Sequence, residues 1–440
     1  MIRHLYISKQ ISLTPNMDNP NTFVAEPWQR PGRSQGLALW ASRACLAFMA
    51  CGASPLLAQD RFQPAASAVV LPVSVHAGGG SAASLRELDK AWRAQPRDLT
   101  TATAYARAVF ILGLKEGDLR WYGSAKAAMA PWWTSTDLHA QAFFVRGLIK
   151  QGFHDFKAGL QDINQAIALE PQRAEFWSWR FALHLLLADM GAARQDASEI
   201  DKLFGPEEAQ VYRAVWMYRS GQALPAVGLL KASLRLPRFQ DASSQDWLGF
   251  HLGEAHRVSG QSEAAVAVWS ARLKANPEAH LLRLSLADVL NQQGRHARAK
   301  TVAMAKQSTS ALTDALLMQA LLASRGLKEA DEKRLASLMD ARLKSQALRQ
   351  EALIERPKLI YQITYGQDMA AGLALSQENW QLQKEPPDAV LFAQAALALG
   401  RARVAEPVVK WAEQTGYTDA QLAPLIEQLK KHPSWTSARR

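Results

Sequence analysis

The sequence predicts an all-α chain, a solenoid of stacked antiparallel helix pairs. Two observations lead there. From about residue 84 apolar residues recur at three- and four-residue spacing nearly to the end, which is the helical period. Prolines stand at the ends of these runs, at Pro96, Pro131, Pro171, Pro237 and Pro277, with intervals of 35, 40, 66 and 40 residues. The 66 is close to twice 33, and Pro206 falls near its middle. A unit of about 34 residues carrying two helices fits these intervals, with longer turns where they reach 40. No stretch alternates strictly as a half-buried strand does. The nearest strand candidate, Ala68–Val75, holds Pro72 and falls in an expected linker.

Composition narrows the class. Of 440 residues, 48% are hydrophobic and 21% charged, ordinary globular usage that excludes a disordered or polytopic membrane chain. Residues 1–58 read as a leader. A polar, proline-containing stretch with Arg30 and Arg33 precedes an apolar run through Cys51. A Gly52–Pro55 break and Ala58 before Gln59 complete a signal-peptide pattern. A membrane span needs about 20 apolar residues, and Arg43 and Pro55 interrupt that count. Cleavage near Ala58 removes both cysteines, Cys45 and Cys51, so disulfides have no part in the mature fold. The leader holds five Lys/Arg and two acids, so the net charge falls from +11 to +8. Met17 is an alternative start, and an uncleaved membrane anchor is the competing reading. Lipidation at Cys51 is disfavoured by its lead-in, Phe48-Met49-Ala50. Residues 59–83, with Gly78-Gly79-Gly80-Ser81, read as a flexible linker.

Within the array the units share a pattern. Phe143 is followed four positions later by Gly147, and then come Gly159, Ile163, Ala166 and Pro171. Four residues apart on a helix is one face, so glycine there lets a second helix approach. Trp177, Phe181, Ala193 and Asp196 follow in the next unit, Ala232 and Pro237 close another, and Gly253, Ala265, Trp269 and Pro277 form a later one. Leu284, Ala287, Leu290, Gly294 and Ala303 come after it. Over roughly residues 85–315 the chain resembles the tetratricopeptide repeat family, and as a whole it looks like exported bacterial members of that family. The resemblance implies a right-handed solenoid over 84–325, with degenerate repeats over 326–440. Phe181 departs from the family, which prefers a small residue there. Residues 327–356 read as a long polar helix, a possible break between two lobes near 325–345. Asn379–Pro386 closes one helix and Pro387-Asp388-Ala389 opens the next. Asp419–Lys431 reads as a capping helix with a polar outer face.

A search for chemistry yields no catalytic, cofactor-binding or metal-ligating residue. His251, Glu254 and His256 form H-x-x-E-x-H, but His256 lies some 140° around a helix from His251. Two ligands on one face need spacing i, i+4. His154-Asp155 stands at a turn, where the aspartate reads as a helix cap. No G-x-S-x-G occurs, and the glycine run lacks the lysine of a phosphate loop. The densest basic patch, Arg295-His296-Ala297-Arg298-Ala299-Lys300, reads as an exposed helix start, so no nucleic-acid partner is expected. Trp177, Trp269, Trp380 and Trp411 read as core.

The resemblance further implies a groove lined by the first helix of each unit. By the helical period that face carries Gln141, Phe144 and Leu148 in one unit, and Trp247, Phe250, Glu254 and Arg257 in a later one. Aromatics beside a charged pair suit a peptide, while the competing reading puts Trp247 and Phe250 in the core between units. The expectation is a scaffold exported to a bacterial periplasm. It binds a protein or peptide, has no catalysis or cofactor, and keeps no integral membrane span once processed. The alternatives are the supporting part of a cell-envelope enzyme, or a cytoplasmic regulator if the leader is misread.

Overall fold

The structure, a computed structural model, describes residues 79–116, 120–305, 312–348, 356–366 and 368–436. The expected leader, its cleavage site and most of the linker lie outside the described residues. From Gly79 onward the linker is already helical.

The array opens with α1 (Gly79–Ala94), α2 (Leu99–Glu116) and α3 (Arg120–Met129). Four pairs follow: α4 (Ala140–Gly152) with α5 (Phe156–Leu169), α6 (Ala174–Leu186) with α7 (Met190–Phe204), α8 (Pro206–Arg219) with α9 (Ala223–Ser233), and α10 (Ala242–Val258) with α11 (Ser262–Ala275). Next come α12 (His280–Gln292) with α13 (His296–Met304), and α14 (Asp314–Gly326) with α15 (Asp331–Leu348). The remainder is α16 (Arg356–Ile360), which runs into a π-helical turn over Tyr361–Tyr365, then α17 (Met369–Leu382), α18 (Pro386–Ala398), α19 (Glu406–Thr415), α20 (Leu422–Lys431) and α21 (Pro433–Thr436). No strand occurs among the described residues.

The pairs turn by one device. After the first helix, His154, Ala188, Gly221, Gly260, Gly294, Lys328 and Gly400 each take a positive φ, between +56° and +81°. The next residue's N–H then reaches back five positions: Asp155 to the Lys150 carbonyl, Asp189 to His184, Gln222 to Met217, Gln261 to His256, Arg295 to Leu290, Glu329 to Ser324 and Arg401 to Ala396, all at 2.8–3.0 Å. This bond satisfies a carbonyl left open at the helix end and reverses the chain within one residue. The left-handed residues stand 34, 33, 39, 34, 34 and 72 residues apart, so the period read from the prolines is the period of the backbone. Asp155 and Asp189 then cap α5 and α7, accepting from the Ala158 and Ala192 amides at 3.3 and 2.9 Å.

Inside the pairs the small residues work as the pattern implies. Gly147 on α4 faces Gly159 on α5, and a Cβ added at Gly147 would lie 2.9 Å from the Gly159 carbonyl oxygen. Beside this contact Asp162 receives Arg146 Nε and Nη2 at 2.7 Å and Lys150 Nζ at 2.8 Å. The arrangement repeats 34 residues on. Asp196, fully buried, accepts from Arg180 at 2.7 Å and pairs with His184 Nδ1 at 2.8 Å. One unit further, where the turn residues stand 33 apart, the same three places hold Arg213, Met217 and Leu229, and the arginine is exposed with Asp201 at 3.7 Å.

Two expectations change. No break divides the core near 325–345: Ala287, Leu316, Leu335 and Met339 form one apolar cluster, with Ile360 and Tyr361 packed against it. The polar helix there, α15, buries its apolar residues on α14. Trp269, Trp380 and Trp411 are buried, but Trp177 is not. Its indole N–H donates to the Pro171 carbonyl at 2.8 Å and Arg180 lies over its ring at 4.5 Å, so it covers the rim of a unit.

Asp162→Ala strands Arg146 and Lys150, two cations with 5% and 15% exposed side chains. It is expected to lower the unfolding free energy by about 3–5 kcal/mol, read from the urea midpoint at constant slope.

Candidate partner-binding face

The groove residues named from the sequence divide into two groups. Phe144 is fully buried and packs on Phe176 with ring centroids 4.5 Å apart, between the first helices of consecutive units. Leu148 is fully buried as well. Trp247 packs against Tyr212 at 5.8 Å and against the edge of His251 at 5.5 Å. Phe250 belongs to the cluster of Val266, Trp269, Leu282 and Leu286. These four are packing residues, not an open aromatic wall. The reason is geometric: the side of a first helix that avoids its own second helix meets the first helix of the next unit. Gln141 is part-buried, with both amide atoms out of contact with solvent and without a hydrogen-bond partner.

The charged end of the stripe behaves otherwise. Arg257 holds Glu254 at 3.0 Å and also reaches Asp419 at 3.2 Å, 162 residues further along the chain. The chain's own C-terminal segment therefore lies where a partner was expected. Tyr417 Oη donates to Asp419 at 2.7 Å, and the other Asp419 oxygen accepts from the Gln421 and Leu422 amides, which caps α20. Burial acts to raise the Asp419 carboxyl, but the Arg257 guanidinium, the Leu422 N–H and the Tyr417 hydroxyl outweigh it and hold it below the ordinary carboxylate value.

Further contacts follow the same seam. The Lys384 N–H donates to the Leu186 carbonyl at 2.8 Å, and Arg219 Nη2 donates to the Lys384 carbonyl at 3.4 Å. Gly221 and Gly416 touch backbone to backbone, and a Cβ at Gly221 would stand 2.3 Å from the Gly416 oxygen. On the C-terminal side Arg356 forks onto Asp388 at 2.9 Å and Glu385 at 2.6 Å, while Gln383 Nε2 donates to Asp388 at 2.8 Å. Sequence reasoning missed Arg219, Arg356, Glu385, Asp388, Tyr417 and Asp419. Only Asp388, just after Pro386-Pro387, carried a local signal.

At the edge of the seam a crevice of about 530 Å³ opens between the α6–α7 turn and the faces of α17 and α19. Leu187, Trp380, Lys384, Lys410, Trp411 and Gln414 are among the residues lining it. No carboxylate stands in that wall.

The motif-like histidines do not converge. His251 is fully buried with Nδ1 2.9 Å from the Tyr218 hydroxyl, and burial lowers its imidazole pKa to about 3. His256 Nδ1 instead meets Gln261 at 2.6 Å. Two cations of the basic patch are matched by acids, Arg295 with Glu263 at 3.0 Å and Lys300 with Glu329 and Asp331, while Arg298 donates to the Ser270 hydroxyl at 2.7 Å. No helix among the described residues is long and apolar enough to cross a membrane.

No family model matches the chain, and no curated protein does. Similar solved structures include a tetratricopeptide repeat protein from Parabacteroides merdae ATCC 43184, 16% identical with a TM-score of 0.40, which covers 56% of this chain and 93% of that one. Yeast Tom70 is 10% identical with a TM-score of 0.38, covering 79% and 83% of the two chains. A human IFIT1 dimer with PPP-AAAA is 11% identical with a TM-score of 0.35, covering 77% and 87%. The tetratricopeptide-like arrangement rests on the chain's own helix pairs and their turn register.

Phe250→Ala should lower the unfolding free energy by about 3–5 kcal/mol in calorimetry. Because its ring faces the core, capture of a partner by the folded fraction should be unchanged. Asp419 should behave as a depressed carboxylate. Its contribution is present above the ordinary aspartate value of about 3.9 and is lost as pH falls below it. Amide exchange at Leu422, corrected for its intrinsic pH dependence, should lose protection in that range, and Asp419→Asn should abolish that loss.

Proposed function

We propose that the protein is an exported, non-catalytic scaffold that holds a protein or peptide partner on its helical-repeat framework. One observation carries the binding part: the crevice beside the α6–α7 turn, where Trp380 and Trp411 stand with Lys384 and Lys410. Aromatic rings offer contact area at low entropic cost, while Lys410 is held by Glu406 at 2.9 Å and Lys384 Nζ by the Trp380 carbonyl. Helix-pair frameworks hold such side chains in fixed relation, because each unit is braced by its neighbours. The leader sequence supports export. The pairing of the Arg295–Lys300 patch with carboxylates argues against a nucleic-acid partner.

Two measurements test this. Protein recovered from the cell envelope should have an intact mass that begins within a few residues of Gln59, and a mass that retains Met1 or Met17 refutes the processing. A photo-crosslinking side chain at Gln381, on the crevice, should give discrete protein adducts in cells. One at Gln195, on the exposed face of α7, should give none. The absence of adducts from Gln381 refutes the scaffold reading.

A further inference from the structure

We infer that the C-terminal segment is an intramolecular occupant of the turn edge of the repeats, a lid that an extended acidic peptide displaces. The inference rests on the scaffold reading and specifies its partner. Four observations carry it.

The first is what crosses the seam. It is joined by a backbone hydrogen bond from Lys384 to Leu186, a guanidinium–carbonyl contact from Arg219, the Arg257–Asp419 ion pair and a glycine-to-glycine backbone contact. These contacts are polar, the character of interfaces that open and close. A buried ion pair adds little net stability once its desolvation is counted, so this bond sets position more than strength.

The second is that each side keeps its own apolar core. Phe250, Trp269, Leu282 and Leu286 cluster within the repeats. Trp380, Phe392, Trp411 and Tyr417 pack on one another within the C-terminal side, with Trp380 and Trp411 edge to face at 5.4 Å.

The third is the form of the occupant. Gln383 and Glu385 are extended, at φ −143°, ψ 155° and φ −97°, ψ 142°. Lys384 between them uses both its N–H and its carbonyl on the repeats. Asp419 supplies a carboxylate to Arg257. The turn edge thus presents a carbonyl acceptor at Leu186 and two guanidinium donors at Arg219 and Arg257. That set takes an extended backbone at Leu186 and Arg219 and a carboxylate from a separate segment at Arg257. The fourth is the crevice at the Leu187–Lys384 end of the seam, where a competing strand would enter past Lys384 and Lys410, the latter held by Glu406 at 2.9 Å.

Asp419→Asn tests the lid because the amide oxygen can still cap α20 while the charge facing Arg257 is removed. Exchange of the Lys384 amide should rise about tenfold or more, while amides inside α10 and α18 keep their protection. A rise in all elements together, or no rise, overturns the lid. A fluorescein-labelled hexapeptide of alternating glutamate and glycine is the probe. It should bind Asp419→Asn about tenfold tighter than the natural chain, because the lid no longer competes as well. Adding Arg257→Ala should remove the gain. Equal binding to the natural chain and Asp419→Asn overturns the inference. If Gln381 adducts persist in cells alongside that result, the scaffold reading survives; if they are missing as well, both readings fail.

Discussion

The fold depends on reversing the chain in one residue at the end of each first helix. A helix end leaves carbonyls without partners, and a left-handed residue followed by a back-reaching N–H satisfies one of them while turning the chain. Four of the seven residues that do this are glycine, which takes the conformation without strain. His154, Ala188 and Lys328 take it at a cost of about 1–2 kcal/mol each. The cost is accepted because the following helix must start in register. A turn one residue longer would rotate the second helix and carry Asp162 away from Arg146.

From this constraint the stacking follows. A pair fixed at its turn presents one apolar side to the next pair, and the first helices then meet one another as well as their own partners. Phe144, Phe176 and Trp179 show the consequence, with rings drawn from two successive first helices closing over each other. A face that appears free when one pair is considered is covered when three are stacked. Glu254 and Arg257 keep charge on that side, and the chain covers them with its own later residues.

The repeat period, the caps at Asp155 and Asp189 and the close glycines were legible in the sequence because each is a local property of some 30 residues. Proline positions report where helices must stop, and i, i+4 spacing reports which residues share a face. The seam was not legible. Arg257 and Asp419 are 162 residues apart, and neither position differs in type from an ordinary surface residue of a helix. What brings them together is the summed rotation of several units, which no short window contains. Trp177 was misplaced for a related reason: the helical period puts it on a stripe, but its indole is claimed by the Pro171 carbonyl just outside the helix.

The change of chemistry at one register has a consequence for how the units find their places. Arg146, Lys150 and Asp162, then Arg180, His184 and Asp196, are followed at the same positions by Arg213, Met217 and Leu229. Similar units stacked in a row invite mispairing, in which one first helix packs on the second helix of the wrong unit. An aspartate pushed against Met217 would lose its buried cations, and Leu229 opposite Arg146 would leave that guanidinium without its carboxylate. Two salt-bridged slots followed by one without a carboxylate therefore make these units non-interchangeable. They give a quasi-periodic chain a single correct order of assembly, at the expense of the uniformity that would make every unit equally stable.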